Sequence, residues 1–404
     1  MDLKSGYPFW VVKNGLLNNF PVLDDDLECD VLVVGAGITG ALIAWHLQRD
    51  GHNVCVIDRR EAGWGSTAAS TALLQYEIDT EMQDLASRYG VDDAVLAYRA
   101  CADAIPKLQR IARKFRGISF QPMRSLYYAS RWYHRSRLLS EAALRTRYGF
   151  DLAVLDDAQM QEHFGFDAPI GILTAVAAQT DPYQMAHKLL ADVVRNGGHV
   201  FDRTAMAAFS PTRGKVTVTT ETNARIRCGH LVIAGGYESQ ALLDQKVASN
   251  RSSYAYITDP LPRGLGPLQN CVVWESARPY LYVRSTDDGR VLVGGEDDAV
   301  DIPLKRDALV KRKAAKLEKK AQALFPQMTL TPAFAWAGTF AETVDGLPFF
   351  GPHEQHGPRV HFAMAYGGNG ITYSLIGAEL LTETLAGRPH PCAALFSFER
   401  TKRM

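Results

Sequence analysis

The chain has 404 residues, a length that suits two domains better than one ordinary core, and its 47% hydrophobic and 22% charged residues are the proportions of a globular protein. Lys plus Arg, 44, balances Asp plus Glu, 44, so no global field favours a phosphate backbone or an acidic membrane, and nucleic acid is not expected as a partner. The six cysteines, at 29, 55, 101, 228, 271 and 392, show no CxxC spacing, which argues against a structural zinc site or a redox pair and leaves reduced, buried thiols and no metal as the expectation.

In chain order, residues 1–26 are an N-terminal extension. Tyr7, Phe9, Trp10, Pro21 and the acidic run from Asp24 to Asp26 show no clear period there, so an extended lead-in packed on the surface is expected. It holds no basic region followed by an apolar stretch, and no apolar run in the chain approaches the roughly 18 residues of a membrane span; a cytoplasmic protein with no transmembrane segment is expected. The continuous apolar run to Val34 reads as an interior strand of a parallel sheet. Gly35-x-Gly37-x-x-Gly40 follows directly, a helical pattern covers Ile38 to Gln48, and Asn53 to Asp58 reads as a second strand, completing a βαβ unit.

Residues 85–150 show helical spacing, and the basic, aromatic stretch from Arg131 to Arg137 reads as a solvated helix face in a neutral chain. Asp181 and Pro182 open a helix that Gly197 and Gly198 end, with a strand starting at His199. Strands at 215–220 and 225–227 flank a polar turn, and His230 to Gly236 reads as a third buried strand ending in glycines. Alternation at 254–257, 280–283 and 291–293, with Asp287-Asp-Gly289 as a hairpin signal, predicts an antiparallel sheet. A charged helix at about 305–324 is expected to turn its lysines to solvent, and a last helix runs from Ile371 to Leu385.

Three motifs carry chemistry. In the glycine fingerprint, Gly35 permits the tight turn, Gly37 lets the backbone approach a pyrophosphate, and Gly40 lets helix and strand pack closely, while Ile38 and Thr39 open the helix on which phosphate would sit. Asp58 follows at the expected interval and would accept hydrogen bonds from ribose hydroxyls, although an acidic strand end can also be a simple cap. The small hydroxyl run Ser66, Thr67, Ala68, Ser70 can bring donors to a second phosphate and a ribityl chain, which suits FAD; its plainer alternative is a Ser/Ala-rich helix start. Near the C-terminus, Asp345 to Gly351 and then Gly367, Gly368, Asn369 and Gly370 lead into Ile371 and Thr372. There a helix N-terminus would favour the negative charge that a reduced flavin carries at its N1 and C2 carbonyl. A single GxGxxG gives no sign of a separate nicotinamide domain.

Together with Thr180-Asp-Pro182, Val232 to Gly236 and Gly294-Gly295, these motifs resemble the D-amino-acid/glycine/sarcosine oxidase family of flavoproteins over nearly the whole chain. The lead-in with Trp10 and Pro21 and the stretch from Pro279 to Gly295 are most similar to the gamma-glutamylputrescine oxidoreductase-like branch. The resemblance implies an α/β fold: a Rossmann-like, glutathione-reductase-type FAD domain from 27–88, 176–248 and 336–404, and a substrate domain with a mixed, largely antiparallel sheet from 89–175 and 249–335. It also implies FAD contacts at Arg59, Met206, Ala234, Gly235 and Gly338, and hydride transfer from the carbon bearing nitrogen to flavin N5. The resulting imine would be hydrolysed by water, with no obligate acid or base.

Two departures bear on the site. The segment from Trp336 to Thr343 has no cysteine, so the FAD is expected to be noncovalent. Thr339, Phe340 and Ala341 stand where relatives that bind a small amino acid place an arginine. The pocket candidates are therefore Tyr280, Tyr282 and Arg284, with Arg278 as a second cation. The expected partner is a small-molecule amine or amino acid, with oxygen or a quinone as electron acceptor. An FAD dehydrogenase of a 2-hydroxy acid or a polyol phosphate on the same fold is the alternative, and a flavin domain serving RNA modification is a weaker third reading.

Overall fold

Val31, Leu32 and Val33 are fully buried because their strand, Leu27–Val34, lies in the middle of a sheet with parallel neighbours on both sides, Val54–Ile57 and Arg225–Ile233. In the computed structural model, which describes residues 2–299 and 302–403, that sheet has eight strands; Met1 and Met404, the outermost residues of the segments 1–26 and 336–404, lie outside the described residues. His199–Phe201 extends it in parallel on one side, and Val360–Met364 joins Arg225–Ile233 in parallel on the other. The meander Met206–Pro211, Val216–Thr220 and the first half of Arg225–Ile233 is antiparallel, so the strands expected at 225–227 and from 230 are one continuous element. Helices Ile38–Arg49, Pro182–Arg195 and Gly370–Leu385 bury their apolar faces against this sheet in one large cluster.

The second sheet has nine strands, antiparallel throughout except where Cys271–Glu275 runs parallel to Gln121–Tyr128. Its order runs from Phe334–Glu342 through Ser249–Ile257, Val291–Asp298, Leu281–Ser285 and Cys271–Glu275 to Gln121–Tyr128, Gly171–Gln179 and Leu73–Gln75. The helix Pro303–Leu324 covers one face, with Leu317 and Ala321 fully buried against Tyr256 and Val283. Sheet membership crosses the segment boundaries read from sequence. Leu73–Gln75, the end of Gly171–Gln179 and Phe334–Glu342 belong to the second sheet, and the helix Val91–Ala112 shares the first sheet's core.

Three local expectations are corrected. Within 85–150, read as helical, Gln121–Tyr128 is an interior strand of the second sheet, held by Gly171–Gln179 and Cys271–Glu275 on its two sides. The lead-in contains a short helix, Phe9–Asn14, whose Phe9, Trp10 and Val11 are buried, because the indole N–H of Trp10 reaches the Ser70 carbonyl at 2.7 Å and draws the segment inward. The lysines of Pro303–Leu324 are not all solvated: Lys316 and Lys320 hold the Glu296 carboxylate, each at 2.7 Å. Arg131 to Arg137 does form an exposed 3-10 turn and helix start, with Trp132 79% and Tyr133 58% exposed. Among the described residues, no helix is long and apolar enough to cross a membrane.

Candidate cofactor and substrate cavity

One cavity of about 440 Å³ runs from the carboxyl ends of the first sheet's strands to the face of the second sheet, within the usual size range of ligand pockets, about 300–1,000 Å³. Gly35 forms its floor with φ of 118°, and a Cβ there would collide with the Ala234 carbonyl oxygen, so only glycine lets the two strand ends close together. Gly40 serves packing, since a Cβ would strike the Gly35 carbonyl; it does not line the cavity. Gly37 does, with its Cβ direction 3.0 Å from Thr67 Oγ1.

Two helix N-termini converge on this space. Gly37 precedes Ile38–Arg49, Asn369 precedes Gly370–Leu385, and Thr39 Oγ1 and Ser374 Oγ tie the two starts at 2.8 Å. Ile38, Thr39, Gly370, Ile371 and Thr372 all line the cavity, so two positive dipole ends face it. Thr67 Oγ1 accepts the Ile38 N–H at 2.9 Å, and Asn369 Nδ2 donates to the Gln75 carbonyl at 3.0 Å, which fixes the flanking loops. The short helix Ser66–Ala69 is held from outside by Trp336, whose indole N–H donates to the Ala69 carbonyl at 2.9 Å. Ser66, Thr67 and Ser70 line the cavity and Ala68 does not, being buried against the aromatic cluster of Phe9, Trp10 and Trp336.

Asp58 sits at the opposite rim. Its Oδ2 accepts the Ala36 N–H at 2.7 Å and its Oδ1 the Arg60 N–H at 2.8 Å, while burial pushes its carboxyl above the usual range. Lone pairs remain for a ribose hydroxyl. Arg59 and Arg60 both pair with Glu238, whose carboxyl they hold below its ordinary range. Met206, Ala234 and Gly235 complete this rim, and Gly338, Gly367 and Gly368 line the cavity further along.

Four buried polar atoms on the lining residues, Ser66 Oγ, Gln75 Oε1, Ser239 Oγ and Asp297 Oδ1, have no hydrogen-bond partner among the described residues. Buried polar groups are almost always satisfied, so this cavity is shaped for a polar ligand, and its donors, dipole ends and ribose acceptor fit FAD. Asp79 takes up the Gly368 N–H at 2.8 Å, so that donor is engaged by the protein.

At the second-sheet end, Tyr280 and Tyr282 line the cavity with Trp274, as the strand alternation expects, but Arg284 does not. Its guanidinium is buried and spent on structure, donating to the carbonyls of Thr71 at 2.6 Å, Ser285 at 2.9 Å and Thr180 at 3.3 Å. Arg278 is also outside the lining; it donates to the Asp79 carbonyl and lies 4.5 Å from the Tyr280 ring centre. Asp345 is likewise structural, accepting Arg400 at 2.8 Å and the Tyr89 hydroxyl at 2.7 Å. Sequence reasoning missed Gln75, Asp79, Trp274 and Asp297. The Asp297 signal was legible in retrospect as an acidic triplet, Glu296 to Asp298, ending an apolar strand after two glycines.

This chain is 26% identical to gamma-glutamylputrescine oxidoreductase of Escherichia coli over 385 residues, covering 91% of this chain and 86% of that protein. It is 24% identical to glycine oxidase of Bacillus licheniformis over 375 residues, covering 89% and 94%. Its fold matches the crystal structure of glycine oxidase from Geobacillus kaustophilus with a TM-score of 0.76 at 17% identity, covering 92% of this chain and 98% of that one. The sequence pattern of one family runs from residue 30 to residue 384, through both sheets and both helix N-termini, and the protein is therefore an enzyme belonging to the DAO family of FAD-dependent oxidoreductases.

Proposed function

We propose that this enzyme oxidises the C–N bond of a small amine or amino acid, with noncovalently bound FAD, and releases an imine that water hydrolyses. FAD supplies the hydride acceptor, N5 of its isoalloxazine. The observation that carries the reading is a single cavity joining a dinucleotide rim, Gly35, Gly37 and Asp58, to an aromatic wall of Trp274, Tyr280 and Tyr282. The names of the relatives, an oxidoreductase of gamma-glutamylputrescine and a glycine oxidase, support a nitrogen-bearing substrate. The chain's own work is orientation: the tyrosines and Trp274 on the second sheet confine the substrate. Hydride departure is driven by the lone pair of the neutral amine, so a substrate bound as ammonium first gives its proton to solvent, and no lining residue need act as an obligate acid or base. Anaerobic bleaching of the holoenzyme against a panel of amines, amino acids and hydroxy acids tests this. Bleaching by the nitrogen compounds is expected, and bleaching by hydroxy acids alone refutes it.

A further inference from the structure

We propose that the substrate presents an ammonium group to the second-sheet wall of the cavity, where the Asp297 carboxylate receives it and Asp79 adds negative charge beside it. The substrate class is a cationic alkyl amine with no carboxylate at that end. This rests on the reading of the site as one that oxidises amines or amino acids.

The strand Val291–Asp298 breaks register against Ser249–Ile257: Tyr254 faces Gly295, yet Ser252 faces Asp298. This bulge puts Glu296 in the left-handed region, φ 54°, and separates three consecutive acids. Glu296 turns to the covering helix, where Lys316 and Lys320 neutralise it, and Asp298 pairs with Lys313 at 3.1 Å. Asp297 faces inward instead. It lines the cavity beside Tyr280 and Tyr282, and its Oδ1 is buried with no hydrogen-bond donor among the described residues.

The bulge turns the acids on either side of Asp297 to the lysines of the covering helix and leaves the middle one without a salt bridge, Arg278 acting on it only as a neighbouring charge. Burying an unpaired carboxylate is costly, so the natural partner is a cation brought by the ligand. Asp79 strengthens the case, since it lines the same end, with Oδ1 within 3.4 Å of the Tyr280 hydroxyl. Burial chiefly pushes the Asp297 carboxyl up and Asp79 and Glu342 add to it, while the Ser253 hydroxyl and Arg278 act the other way. The lining cations, Arg59 and Arg60, are at the Asp58 rim, tied to Glu238. A substrate carboxylate or phosphate at the second-sheet end would therefore meet two acids, whereas an ammonium would meet two acids and three aromatic faces suited to cations.

The test uses holoenzyme, stopped-flow anaerobic flavin reduction, and the probes n-butylamine, putrescine, glycine and D-alanine. Wild-type enzyme should be reduced by an amine probe at concentrations at least tenfold below those needed for the two amino acids. Asp297→Asn should keep its FAD and visible spectrum, weaken the apparent amine Kd at least tenfold, and abolish the loss of affinity seen in the wild type as pH falls through about 7. Asp297→Glu should restore part of the affinity. Glycine or D-alanine outperforming both amines, with that preference removed by Arg278→Ala, would overturn the inference and leave the C–N oxidation intact. An unchanged amine Kd and pH profile in Asp297→Asn would overturn it as well. No bleaching by any amine or amino acid, with bleaching by hydroxy acids, would instead sink the reading of the reaction beneath it.

Discussion

Replacing Asp297 by asparagine should make the protein more stable at alkaline pH while impairing its affinity for amines. The carboxyl is raised from 3.8 to about 7, chiefly by burial. In the unfolded chain the group titrates near its ordinary value, so between about pH 4 and pH 7 the folded state holds a proton that the unfolded state has lost. Stability therefore falls as pH rises through that window, is fully reduced above about pH 7, and carries no penalty below about pH 4. At about 1.4 kcal/mol per pKa unit, two units of that window lie between roughly pH 5 and pH 8, an upper limit of about 3 kcal/mol. Water entering the cavity and the Ser253 hydroxyl reduce this, so a difference of about 1–2 kcal/mol is expected. Urea unfolding of wild-type and Asp297→Asn protein, at a fixed excess of FAD and at both pH values, measures it; subtracting the two proteins cancels the other titrating groups. Equal stability differences at the two pH values would show that the carboxylate is not carrying a desolvation penalty.

Other outcomes follow from the same geometry. Denatured protein should release intact FAD into the supernatant, since none of the six cysteines lines the cavity; yellow colour retained in the precipitate would contradict this. Gly37→Val should purify without flavin, because a Cβ already lies 3.0 Å from Thr67 Oγ1 and the valine methyls would extend into the phosphate space; absorbance at the flavin band per mole of protein is the readout. Arg284→Ala should lose roughly 1–3 kcal/mol of stability for each buried carbonyl it orphans, at Thr71 and Thr180, seen as a Tm drop of several degrees, rather than act on KM alone. A wild-type Tm with selective loss of amino-acid turnover would return Arg284 to the substrate site.

The nucleotide half of the site was legible in the sequence because its requirements are local. A strand, three glycines, a helix start and an acidic strand end sit within about 30 residues, and each answers a backbone demand such as the φ of 118° at Gly35. Some helix and strand positions followed from period and caps, but Gln121–Tyr128, inside a stretch read as helical, is a strand because it pairs with Gly171–Gln179 far along the chain; Asp181, whose Oδ1 accepts the Gln184 N–H at 2.9 Å, is a case where the residue type alone announced its role. The substrate half depended on contacts across the chain. Strand alternation correctly put Tyr280 and Tyr282 on one face but could not show that Arg284, on the same face, would be consumed by the carbonyls of Thr71 and Thr180, more than 100 residues away. Nor could it show that a bulge would divide Glu296, Asp297 and Asp298 between a lysine helix and a cavity. Sequence sets which groups are available and how the backbone runs locally; which of them meet a partner is decided only when distant segments pack. At Asp297 that packing withholds a salt bridge and leaves Oδ1 without a donor, and this carboxyl's environment is a property of the tertiary structure alone.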